Sequence, residues 1–511
     1  MKKIVRIFIA ILLILGSACT ASSPSVTPVT TPTPVLNKTE ITKKILSGYS
    51  IVYPSDYNEY RMEDVYSLRD AIFQYVGSYI PVLSDKDPRP VKSIILADTT
   101  LQHQYSNRTG EFSGTLNSLI AVDQRTMDIV IGGNNYYATA TAIERFNAML
   151  PDSETVSFNV EYSENIVEID DVPAIACTLK TLPFTTIEQF ESMIGQGYNS
   201  VVIDASLYSE RQLHNVIKWC AKYGVTIVMR SYVSRYLYQD CPIVLGHLIV
   251  NEPYGYDSYV WYSLDCQKYA DSCAQYGWKP YVNIIGQDDV ISELENNPNL
   301  FPTVDPMCVK MNSNKIVDTL SVLAKTNDVM DSADKDFVVG VDLSSAFRGY
   351  SLEDTALLRA VLGISFGAYG VQYFCYAGDG HSDESSYELS DASSIISMVK
   401  NLTNTLDGYE HVGAVYFSGF YTIAYGQTAY NDIFAKNIES YAVKDCLISD
   451  FVNEDGEHLF VVLNLSKDKE LYFGAKDSSV SVINSDLTGQ ECDEFEVSGA
   501  DFVVVKINAE E

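Results

Sequence analysis

Basic residues are scarce in this 511-residue chain: 35 Lys and Arg stand against 67 Asp and Glu, a formal charge of −32 at pH 7. Contact with phosphate needs a basic surface, so nucleic acid is excluded as a partner. The charge otherwise speaks to solubility and selects no substrate. Metal-type cysteine spacing is also missing. Beyond Cys19, the cysteines at 177, 220, 241, 266, 273, 308, 375, 446 and 492 are odd in number, and most sit in apolar segments where Cys acts as a small core residue. Asp331, Asp334 and Asp336 lie close together but lack the Gly and terminal Glu of a calcium loop. No metal or other cofactor is read from the sequence. No Gly-rich phosphate turn follows an early strand, and past the amino terminus no run is long and apolar enough to cross a membrane.

What the amino terminus does contain is Lys2, Lys3 and Arg6, an apolar run from Ile7 to Leu15, and then Gly16-Ser17-Ala18-Cys19. A basic flank, a short apolar core and small residues make a secretory signal. Because it ends on Cys19, it resembles a bacterial lipoprotein signal, with Gly16 where Leu is usual and Leu15 beside it. The resemblance implies removal of residues 1–18, lipidation of Cys19 and anchoring to the outer face of the cell membrane. An ordinary cleaved signal is the alternative. Residues 19–43, with Pro24, Pro28, Pro32 and Pro34 among Ser and Thr, read as an extended tether.

The remaining body is too long for one core, so two or three domains are expected. Residues 44–155 read as an α+β unit: strands at Ser50–Tyr53, Ile80–Leu83, Ser93–Leu96 and Met127–Ile131, with helices over Met62–Val76 and Tyr136–Leu150. From 173 to 405 strands and amphipathic helices alternate. The candidate strands are Ala174–Leu179, Ser200–Asp204, Thr226–Arg230, Leu245–Asn251, Pro280–Ile285, Thr303–Val309, Phe337–Asp342 and Gly370–Tyr376. Eight strands, each followed by a helix, predict a (β/α)8 barrel. A doubly wound sheet shares the alternation but usually brings the Gly-rich turn that is missing here. Residues 411–511 alternate as short strands with turns at Asp455-Gly456 and Thr488-Gly489, which predicts an antiparallel β-sandwich.

The most informative segment is Val244–Pro253, an apolar strand that stops at Asn251-Glu252-Pro253. Proline cannot donate to a ladder, so Glu252 is expected at the C-terminal mouth, where such barrels keep their chemistry. The tripeptide resembles the fourth-strand end of clan A (β/α)8 glycoside hydrolases. The run Leu358–Tyr376 is similar to the last helix and strand of β-galactosidase-like barrels, and Tyr281-Val282-Asn283 fits their fifth strand. The first unit resembles the small domain preceding the barrel in α-glucuronidases and hexosaminidases. These resemblances imply a carbohydrate substrate, Glu252 as general acid/base and Asn251 in contact with the sugar.

The clan's nucleophile is a Glu ending the seventh strand, whereas this chain offers Asp342, one methylene shorter. That departure leaves open a retaining pair, an inverting site that uses Asp305 or Asp379 as base, and a glycan-binding or scaffold barrel without catalysis. Arg230, Asn251, Tyr254, Tyr281, Asn283, Gln372 and Tyr376 are the candidate sugar contacts at strand ends. Pairing of Glu252 with Arg230 would lower its pKa, the wrong direction for an acid. His247, inside a buried strand, reads as core.

Overall fold

The structure, a computed structural model, describes residues 39–511 except 97–98, 102–115, 124, 151–154, 159–160, 164–174, 180–183, 252–270, 286–306, 312, 333–334, 344, 377–391, 442, 477–479, 487 and 509–511. Its centre is a closed ring of eight parallel strands: Ile175–Leu179, Ser200–Ile203, Thr226–Met229, Val244–Asn251, Lys279–Ile285, Met307–Met311, Phe337–Asp342 and Gly370–Tyr376. They are called ring strands one to eight below. Strand one bonds to both strand two and strand eight, which closes the ring.

Alternation divides each strand between two environments. Val201, Ile203, Ile227, Met229, Val282, Ile284, Val309, Val339, Val341 and Val371 join the large core outside the ring, shared with the surrounding helices. Val202, Val228 and Leu248 pack with Tyr281 in a small separate cluster, and Val338 with Phe374 in another. These described residues pack inside the ring, as side chains do in the core of such barrels. Gly246 makes room for the plug: a Cβ there would lie 2.4 Å from the Tyr281 ring. Gly363 serves the outer layer similarly, because a Cβ would fall 2.3 Å from Val339 and push the helix Leu352–Ser365 off strand seven.

Helices follow strands one (Ile187–Gly195), two (Glu210–Tyr223), six (Ile316–Ser332), seven (Leu352–Ser365) and eight (Ser393–Thr405). Those after strands one, two and seven begin with reciprocal capping boxes at Thr186, Ser209 and Ser351. Among the described connections the expected strand–helix alternation fails after strand three. Between Met229 and Val244 there is only a single 3-10 turn, Arg235–Leu237. This stretch carries Pro242, which disfavours helix in the residues before it. Of the sixth strand the structure describes Met307–Met311, which continues two residues past the expected end; the expected start at Thr303 lies outside the described residues.

Before the ring lies a six-stranded mixed sheet in the order Val82–Ser84, Ser50–Tyr53, Ser93–Leu96, Ile129–Gly133, Ser118–Val122, Glu161–Ser163. Thr39–Thr42, expected in the tether, is a strand paired antiparallel with Thr155–Phe158, and Ile41 is buried in this sheet's core. The helix Tyr136–Met149 packs against the ring's helix Glu210–Tyr223, and the Tyr137 hydroxyl donates to the Leu237 carbonyl at 2.5 Å. After the ring come two antiparallel sheets, of seven and three strands, that share one apolar core through Phe434, Phe460, Phe473 and Phe495.

Three histidines are trapped by this packing. His214 lies against Tyr136 where the first sheet's helix meets the ring. His247 stacks at 3.8 Å on Tyr232, and His411 packs against Phe366 and Phe451. Burial, the leading cause for each, lowers their pKa from 6.5 to about 4. Between pH 6.5 and 4 the unfolded chain therefore takes up protons that the native chain refuses. Stability is full above about pH 6.5 and falls as the pH drops toward 4, by on the order of 1–3 kcal/mol per histidine. Urea midpoints measured at pH 7.5, 6, 5 and 4.5 should fall steadily, and His411→Phe should flatten the slope. A midpoint unchanged down to pH 4.5 would contradict the assignment.

Candidate active site

Parallel strands in a ring bring all their C-terminal ends to one face. The described polar groups at or near that face are Asp204 and Arg230, just beyond strands two and three, Asn283 on strand five and Asp342 at the end of strand seven; Gln372, expected at a strand end, lies deeper, level with Gly340 on strand seven and Ala176 on strand one. Strand four contributes Asn251 as its last residue. A register shift between Leu248 and Val250 inserts one residue there, so Leu248 pairs with Tyr281 while Asn251 aligns with Asn283. The bulge thus returns Asn251 to the same phase as Asn283 at the strand's end.

Asn283, only 2% exposed, belongs to the floor of the mouth, and Gln372, 6% exposed, lies two residues below the level of Asp342. Tyr281 sits one layer deeper, in the apolar plug. Asp342 is half-buried and aligned with Phe374. Arg230 is exposed, and its Nε lies 3.7 Å from Asp204 Oδ2, whose other oxygen accepts from the Ser206 N–H at 3.0 Å. The guanidinium is thus paired with a carboxylate of the neighbouring strand end. Asp204 was visible in the sequence as a strand terminus but carried no motif to mark it.

A second group missed in the sequence is Arg359. It is fully buried on the helix after strand seven, and burial lowers its pKa from 12.5 to about 10, opposed by the nearby Asp342 carboxylate. Its Nη1 donates to the carbonyls of Asp342 (3.1 Å) and Ser345 (2.8 Å), and Nη2 to the Ser313 carbonyl (3.1 Å). One guanidinium therefore ties the loop after strand six to the loop after strand seven, and holds the backbone of Asp342. The signal was a single charge in the apolar run Leu357-Leu358-Arg359-Ala360-Val361.

Glu252, Tyr254, Asp305, Asp379 and the lipidation candidate Cys19 lie outside the described residues, and of Asn251 and Tyr376 only the backbone is described. Strand six ends at Met311, so the residue following its C-terminal end is Asn312; Asp305 precedes the strand. Among the described residues no group of three or more His, Cys, Asp or Glu is placed to hold a metal ion. Cys220, Cys241, Cys273 and Cys446 are buried, unpaired thiols. No helix among the described residues is long and apolar enough to cross a membrane.

No family model matches the chain, and no curated protein does. Solved structures similar to it include an α-L-arabinofuranosidase from Thermotoga maritima (12% identity, 65% of this chain and 92% of that one, TM-score 0.35). An endo-β-1,4-mannanase from Thermotoga petrophila matches at 11% identity over 66% and 91% of the two chains, TM-score 0.38. A truncated 3-deoxy-D-arabino-heptulosonate 7-phosphate synthase from Thermotoga maritima matches at 12% over 47% and 92%, TM-score 0.34. Glycoside hydrolases recur among these neighbours, but the synthase shows that other chemistry is represented too. The functional argument therefore rests on this chain's own residues.

Replacing Arg359 with Met keeps the volume but strands three partly buried carbonyls. The expected loss is about 3–5 kcal/mol, the range for breaking a buried charged network, read as a lower urea midpoint with an unchanged m-value. A loss under about 0.5 kcal/mol would show that the clamp is not structural.

Proposed function

We propose that this chain is a glycoside hydrolase that acts on a polysaccharide or oligosaccharide, with Glu252 as general acid/base. The observation that carries the proposal is a closed ring of parallel strands whose fourth strand ends at Asn251, one residue before Glu252-Pro253. Hydrolysis of a glycosidic bond needs two carboxyl groups across the scissile bond. Asp342, at the end of strand seven, is the candidate partner. In a retaining cycle Asp342 attacks the anomeric carbon while Glu252 protonates the departing oxygen; Glu252 then takes a proton from the water that releases the sugar. Asn251, Asn283, Arg230, Tyr254 and Tyr376 are proposed to bind the sugar around this pair, with Tyr281 and Gln372, set deeper in the ring, supporting them from below. Lipidation of Cys19 would hold the enzyme on the outer face of the cell membrane, within reach of glycans too large to enter the cell.

One residue favours a second reading. Asp342 is a methylene shorter than the usual Glu, and a misplacement of about 1 Å can cost on the order of a hundredfold in rate. A barrel that binds glycans without cleaving them would tolerate that difference.

One experiment separates the two. Release of nitrophenol from a panel of aryl glycosides is measured in membrane and soluble fractions of cells expressing the wild type, Glu252→Gln, Asp342→Asn or Cys19→Ala. The hydrolase reading expects membrane-bound activity, its loss by about 10²–10⁴-fold in Glu252→Gln, a comparable loss in Asp342→Asn, and soluble activity in Cys19→Ala. If the wild type cleaves nothing while it and Glu252→Gln are equally retarded on glycan affinity gels, the barrel is a sugar-binding protein.

A further inference from the structure

A cavity of about 270 Å³, lined by none of the mouth residues named above, lies where the first sheet meets the connection between ring strands three and four. Pro54, Asp56 and Tyr57 line it from the turn after Ser50–Tyr53, and Asp240 and Cys241 from the ring connection. The helix Tyr136–Met149 presents its first turn to the same space. Arg61 forms one wall. Its guanidinium lies 4.5 Å from the centre of the Tyr136 ring and 5.6 Å from that of Tyr57. Among the described residues nothing hydrogen-bonds or ion-pairs with that guanidinium, although the residue is half-buried. The nearby carboxylate of Asp64 is already engaged, by Lys218 and by the Tyr136 hydroxyl. The two tyrosine rings hold the cation in place without neutralising it.

An oriented guanidinium with open donors matches a carboxylate or another flat oxyanion through two parallel hydrogen bonds. The rest of the cavity narrows that class. Asp56 and Asp240 are exposed carboxylates with no hydrogen bond among the described residues. They accept from hydroxyl groups and repel a dianion more strongly than a monoanion. The tyrosine rings give flat apolar surface. The volume falls just below the range of about 300–1,000 Å³ common for drug-sized ligands, so it suits one small ring.

We propose that this cavity binds a polyhydroxylated carboxylic acid of monosaccharide size, a hexuronate being the type, with its carboxylate on Arg61 and its hydroxyls on Asp56 and Asp240. The site is separate from the barrel mouth, and the proposal does not depend on the hydrolase reading.

Titration calorimetry on the full chain, with sodium glucuronate, glucose and inorganic phosphate as probes, tests it. The expected result is saturable glucuronate binding, weaker by about tenfold or more in Arg61→Gln. Asp240→Asn, at an exposed position, should weaken binding several-fold with the melting temperature unchanged. Glu252→Gln should bind glucuronate as the wild type does. Where Arg61→Gln fails to fold, Arg61→Lys keeps the charge, loses the fork and should still bind more weakly. The proposal is overturned by absent wild-type binding, by undiminished binding in the folded Arg61 variant, or by glucose or phosphate binding as tightly as glucuronate. Loss of binding in Glu252→Gln also overturns it, because the ligand would then sit at the barrel mouth.

Discussion

Ring closure is the constraint on which the other features depend. Ile175–Leu179 hydrogen-bonds along both edges, to Ser200–Ile203 on one side and to Gly370–Tyr376 on the other. No strand is left with an unpaired edge, so the parallel ladder satisfies its own backbone without help from solvent. Closure also determines what each side chain can be. Residues facing out must match the helices, as Val339 does beneath Gly363, and those facing in must fill a narrow space, as Tyr281 does beside Gly246. Only residues near the C-terminal end of each strand, or just beyond it, escape both demands. Polar chemistry is therefore confined to the rim, and Asp204, Arg230, Asn283 and Asp342 are found there.

Much of this was legible in the sequence. Phe337–Asp342 and Gly370–Tyr376 stand in the structure with the bounds expected of them, because strands buried on both faces are short, β-branched and sharply ended. The misreadings have local causes. The connection after strand three was granted a helix by analogy with its neighbours, although Pro242 stands within it. Thr39–Thr42 was absorbed into the tether because four residues beside a Thr-rich segment give no pattern until their antiparallel partner is known.

The site was legible in position more than in detail. Strand-end residues can be picked from a sequence once the strands are placed, which is how Asn251, Asn283 and Asp342 were found. The register shift beside Leu248 could not be, since alternation is invisible in a strand that is apolar throughout. Long-range polar contacts were equally hidden. Arg359 reaches Ser313, 46 residues away, and Arg230 reaches Asp204 at the end of the neighbouring strand. Arg61, Tyr136 and Asp240 come together only when two separate sheets pack. Composition hints at such groups only as charges out of place in apolar runs.

The central claim is that the mouth of this ring carries a pair of carboxyl groups suited to cleaving a glycosidic bond. The most direct measurement is the separation of the Glu252 and Asp342 carboxyl groups in a crystal structure of the full folded body. The account predicts about 5–5.5 Å, the spacing of a retaining pair. A separation of about 6.5–9.5 Å between Glu252 and another rim carboxylate would keep the hydrolase but make it inverting. If no second carboxylate lies within about 10 Å of Glu252, a span too wide for either geometry, the claim is contradicted.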